Sequence, residues 1–124
     1  MKASPPTLEQ FEKMTRGAFD PEMVRLGFDA PIVTKTPPEI VVVYSSDDFR
    51  VSAFYEFGDA PWVKVESRGH NERWRGRSLD KIVSVDHPNL TITRPTSQNV
   101  TRESVQLLLS EYVIAIHSVC GTAS

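Results

Sequence analysis

A single cysteine, Cys120, occurs in the 124 residues. That scarcity excludes an internal disulfide framework and predicts a reducing compartment. No apolar run approaches the ~20 residues that cross a bilayer. The opening "MKASPPTLEQFEKM" has no apolar core of the kind a secretory signal needs. A cytoplasmic protein without a membrane segment is therefore expected. Internal repeats and low-complexity tracts are lacking too. At 13.9 kDa and 40% hydrophobic residues, the chain suits one domain, residues 1–124, with one core.

The motifs of catalysis are equally sparse. His70, His87 and His117 fall in three separate elements without metal-ligand spacing, and only Cys120 lies near His117. That cysteine sits at the predicted end of a helix, where the dipole opposes a thiolate, so a Cys–His nucleophile is disfavoured. Ser45–Ser46 has no flanking glycines and is no nucleophile elbow. The pairs Asp47–Asp48 and Asp86–His87 have the composition of turns, exposed and without apolar surroundings to raise a carboxyl pKa. The two glycines of "RGHNERWRGRS" fit neither a P-loop nor a dinucleotide fingerprint. The reading accordingly assigns no catalytic residue, no metal site and no cofactor.

Periodicity is what the chain does contain. Thr7 with Gln10 makes a capping box, and Leu8, Phe11 and Met14 follow on one helical face. Gly17 weakens that helix. "DPEMVRLGF" restarts it, with Asp20 as N-cap, Pro21 in the first turn and Gly27 as stop. One helix or a bent pair is predicted. The period then changes to two. Ile40–Tyr44 is β-branched and aromatic; Phe49–Phe57 alternates, with Arg50, Ser52, Phe54 and Glu56 on one face. Trp62–Arg68 puts Val63 and Val65 on one side and Trp62, Lys64, Glu66 and Arg68 on the other. Prolines 31, 37 and 38 confine any strand at Ile32–Thr36 to an edge. Ser78 caps a helical turn through "LDKIV", and Leu90–Thr93 is a short strand or an extended connector. Val105, Leu108, Leu109, Tyr112, Val113 and Ile116 mark a terminal amphipathic helix, capped at Thr101 or Asn99 and stopped at Gly121. The fold class is α+β: an N-terminal helix or bent helix pair, an antiparallel meander of three to four strands, and a C-terminal helix packed on one sheet face.

The charge of −2 is unevenly spread. Residues 39–59 hold Glu39, Asp47, Asp48, Glu56 and Asp59 against Arg50 alone. Residues 64–77 hold Lys64, Arg68, Arg73, Arg75 and Arg77 against Glu66 and Glu72. Glu66–Asp80 reads as a long basic connector carrying Trp74. Because Trp and Arg dominate interface hot spots, a protein-binding surface is expected at Arg68, Arg73, Trp74, Arg75 and Arg77, joined by Trp62. The acidic Asp47, Asp48, Glu56 and Asp59 form a second candidate patch. Trp74 can also lie over a nearby arginine, and Trp62 can cap the core.

The succession "RLGF", "VVVYSSDDFRVSAFYEFG", "WVKVE", "RSLDKIV" and a terminal amphipathic helix resembles the small immunity proteins of bacterial polymorphic-toxin systems. The resemblance implies a cytoplasmic, non-enzymatic protein that neutralises a cognate toxin by direct docking. It implies no catalytic residue. The alternatives are an adaptor or effector chaperone binding an extended segment, and a nucleic-acid-binding domain using the basic stretch 68–77. The last is opposed by the pI of 5.9. No small-molecule substrate is predicted.

Overall fold

The computed structural model describes residues 4–69 and 73–121. The capping box forms as expected: the Gln10 N–H donates to Thr7 Oγ1 at 3.1 Å, and the Thr7 N–H donates to Gln10 Oε1 at 2.9 Å. From that cap, α1 runs unbroken over Leu8–Arg25. This corrects the expectation of a second start at Asp20. Pro21 lies inside the helix, where it leaves the Gly17 carbonyl without its helical donor and costs about 3 kcal/mol. Phe11, Thr15, Phe19 and Met23, spaced by four, are buried along one stripe. Each large apolar side chain contributes about 1.5–3 kcal/mol, so packing outweighs the proline. Asp20, no longer a cap, accepts from the Tyr44 hydroxyl at 2.5 Å. Gly27, at φ 86°, ends the segment.

Five strands follow in sequence order: β1 (Ile32–Thr36), β2 (Glu39–Ser45), β3 (Phe49–Glu56), β4 (Trp62–Arg68) and β5 (Trp74–Ser78). Each pairs antiparallel with its neighbours in the order β1-β2-β3-β4-β5. The count exceeds the three to four expected. The extra strand lies within the basic stretch, so "WRGRS" is an edge strand instead of a connector. β1 takes the opposite edge, where its prolines place it. Helix α2 (Leu79–Asp86) starts directly from β5, with the Lys81 N–H donating to the Ser78 cap at 3.2 Å. Residues 90–93 form no strand and belong to the irregular connection between α2 and the last helix. Thr101, not Asn99, caps α3 (Arg102–Cys120).

All three helices lie on the sheet face that carries Ile40, Val42, Tyr44, Val51, Ala53, Tyr55, Val63 and Val65, and these residues belong to one buried cluster. Three buried tyrosines tie the layers together by their hydroxyls. Tyr44 reaches Asp20, Tyr112 reaches Asp80 at 2.6 Å, and Tyr55 reaches the Pro6 carbonyl at 2.6 Å. Phe57, assigned by alternation to this face, lies just past β3 and is 52% exposed. Among the described residues no helix lies over the other sheet face.

Candidate functional site

The uncovered sheet face is built in rows fixed by the strand register. One row is the like-charged pair Glu39–Glu56. The next crosses Thr34, Val41, Phe54 and Trp62; another crosses Ile32, Val43, Ser52, Lys64 and Ser78. Then come Ser45, Arg50, Glu66 and Gly76, and last Arg68 beside Trp74. Apolar side chains therefore fill the middle of a face that alternation alone would make polar. Ile32 is 69% exposed and Trp62 37% exposed.

At the Trp74 end the side chains satisfy one another. The Arg50 Nε and Nη2 donate to the two Glu66 carboxylate oxygens, both at 2.9 Å, a bidentate pair. The same guanidinium lies over the Trp74 ring, 4.7 Å from its centroid, and Arg68 lies over that ring at 5.7 Å. Arg50 holds the Glu66 carboxyl below the usual carboxylate range, mainly through that hydrogen bond. Gly76 makes the arrangement possible. A Cβ there would stand 2.4 Å from Glu66 Cγ, so the strand opposite Glu66 must be bare at that position.

At the other end, Trp62 stacks on Phe54 with centroids 4.4 Å apart and ring planes 13° apart. The pair is one wall of a cleft of about 390 Å³ that also takes in Glu39, Val41, Glu56 and Asp59. Among the described residues no ion pair engages these three carboxylates. The turn at Gly58, φ 92°, sets Asp59 at the mouth.

The expected binding residues are thus distributed, not pooled. Arg68 and Trp74 share the open face, with Arg73 beside them at the end of the β4–β5 connection, where the Gly69 N–H donates to the Arg73 carbonyl. Arg75 and Arg77 alternate onto the helix side. There they border a cleft of about 590 Å³ with Ser67, Asp86 and His87, and Arg77 approaches Asp86 at 3.5 Å. The acidic residues do not make one patch. Asp47 and Asp48 lie in the turn before β3, while Glu56 closes the strand and Asp59 lies just past it, about 25 Å away at ~3.3 Å per residue. Trp62 joins the open face and does not cap the core. Arg50, Phe54, Glu66 and Glu39 were not among the expected binding residues. Phe54 alone carried a signal, as the one large apolar residue out of phase on the wet face of β3.

The remaining chemical candidates stay dispersed. Burial pushes the Cys120 thiol up to about 12, which opposes any nucleophilic role near neutrality. His117 meets Glu22 of α1 at 2.5 Å, which ties the ends of two helices. His70 lies outside the described residues. Among the described residues no group of three or more His, Cys, Asp or Glu is placed to hold a metal, and no helix is long and apolar enough to cross a membrane. Comparison with protein-family models, with curated proteins and with solved structures returned no match.

Proposed function

We propose that this chain is a binding protein that docks a folded partner on the open face of its sheet, and that the partner is a cognate bacterial toxin neutralised by the docking. The observation that carries the reading is the face itself: a sheet without a covering layer, with Trp62 and Phe54 stacked in the open and Trp74 held rigid between charged groups. Aromatic and arginine side chains fixed before binding lose little entropy on contact, which is what an anchor residue requires. A cytoplasmic location suits the free thiol of Cys120, which stays reduced there. Nucleic-acid binding is less well supported, because a base stacking on Trp74 would have to displace an arginine already lying over the ring.

The test is co-expression with the product of a neighbouring toxin-like reading frame, read by growth rescue and by calorimetry on the purified pair. A one-to-one complex and restored growth are expected. Trp62→Ala should weaken the complex about 30-fold or more, the loss typical of a hot spot, while keeping the fold. Failure of the wild-type chain to bind or rescue would overturn the toxin assignment. Undiminished binding by Trp62→Ala would overturn the choice of face.

A further inference from the structure

The two ends of the open face carry the same chemical parts in different states of completion. At one end an indole, Trp74, and a carboxylate, Glu66, hold a guanidinium between them, that of Arg50. At the other, an indole, Trp62, and the carboxylates of Glu39, Glu56 and Asp59 border a cleft that no arginine of the described chain enters. The nearest cation by bonding, Arg94, meets this cleft only at a backbone carbonyl of its lining, that of Ala60. One of its nitrogens donates to the Ala60 carbonyl at 3.5 Å, and the other faces Asp80 at 3.7 Å. Lys64, next to Trp62 on the same face, lies in the following row beside Ser52 and Ser78.

We infer that this cleft is a receptor for an arginine side chain of the docked protein. The inference rests on the reading that the open face is the docking surface, and it names the partner's chemistry there. Three features of the cleft favour a guanidinium. Glu39 and Glu56 are directly opposite across β2 and β3, an arrangement of like charges that destabilises a sheet unless a cation joins it. The Phe54–Trp62 pair gives a flat apolar wall against which a planar, weakly hydrated guanidinium packs better than an ammonium. The cleft volume of about 390 Å³ accommodates one long side chain. The partner therefore presents an exposed arginine on a surface that is otherwise apolar where it meets Val41, Val43 and Ile32. Nucleic acid is not the occupant, because the carboxylates repel its phosphates.

The experiment titrates the full ¹⁵N-labelled chain with acetyl-Gly-Arg-Gly-amide, with the lysine analogue and with the glutamate analogue, following amide and indole resonances. The arginine peptide should shift the Trp62 indole and the Glu39 and Glu56 amides saturably, with a Kd on the order of millimolar, as one stacked ion contact allows. The lysine peptide should bind more weakly and the glutamate peptide not at all. The double variant Glu39→Gln/Glu56→Gln should weaken arginine binding by about fivefold or more, with the remaining spectrum preserved. Absence of saturable shifts at Trp62, or unchanged binding by the double variant, overturns the inference. Equal binding of the lysine peptide overturns its guanidinium specificity. The same variants separate this inference from the docking reading. If the partner complex is weakened by Trp62→Ala and untouched by Glu39→Gln/Glu56→Gln, the docking face stands and the arginine receptor falls. If neither change alters the complex, the docking face falls.

Discussion

At the Trp74 end of the open face, an indole, a carboxylate and a guanidinium occupy one another; at the Trp62 end, no guanidinium among the described residues pairs with the carboxylates. The first arrangement has its charges satisfied within the fold and offers a partner only a pre-fixed surface. The second keeps two carboxylates opposed across a strand pair, an arrangement that costs stability in the free protein. Residues that favour folding and residues that favour association can therefore be told apart by the sign of their mutational effect. Removing a charge from the settled end should destabilise the chain, and removing one from the other end should not.

Gly76→Ala tests the settled end most severely. The added methyl falls 2.4 Å from Glu66 Cγ and 3.1 Å from the Val65 carbonyl, so Glu66 must move and release Arg50. A loss of about 2 kcal/mol by urea denaturation is expected, in the range of an overpacked site. A loss below a few tenths would show that Glu66 shifts freely and that the assembly is loose.

Glu66→Gln should cost about 1 kcal/mol, since the bidentate pair is partly exposed and solvent screens it. Its pH signature has a defined sign. Arg50 lowers the Glu66 pKa below its ordinary value of 4.5 in the folded chain. The unfolded chain therefore takes up the proton first as the pH falls. The stabilisation is complete above the ordinary carboxylate value and is lost as the pH drops from there through the lowered folded value. Stability curves of wild type and Glu66→Gln should converge in that acidic window and stay parallel between pH 6 and pH 8, by the same linkage. Parallel curves throughout would contradict the assigned pairing.

Glu39→Gln/Glu56→Gln should change stability least and in the opposite direction, raising it by a few tenths of a kcal/mol through relief of the cross-strand repulsion. Thermal melts at low ionic strength would show this best, because salt screens exposed charges. Destabilisation instead would make these carboxylates part of the fold's own support and erase the contrast between the two ends.

Much of this architecture was legible in the residues. The near alternation of Phe49–Glu56, the capping box at Thr7 and the Val105–Ile116 stripe predict β3, α1 and α3, because each reflects a pattern written locally. Strand β5 escapes such reading. "WRGRS" has no β-branched residue, and its pairing is stabilised by contacts with Arg50 and Glu66 that lie far away in sequence. Pro21 misleads in the other direction, since its local preference for a helix start is overridden by the buried stripe on either side. The candidate site was half visible. Trp62, Glu56, Asp59 and Trp74 stand out by type, but Glu39 opposing Glu56 and Arg50 lying on Trp74 depend on register, which only the folded sheet reveals.

The run of α1 alongside α3 has a practical corollary for how the molecule can be held. Pro6 is fastened by the Tyr55 hydroxyl on the helix-covered face, at the same end of the sheet as the cleft. Gly121 lies at the far end, among Leu26, Asp47 and Asp48. A fluorophore or surface tether attached at the Gly121 end should leave the cleft unobstructed. Orientation-dependent capture on a sensor chip would thus map the polarity of docking before any complex is solved.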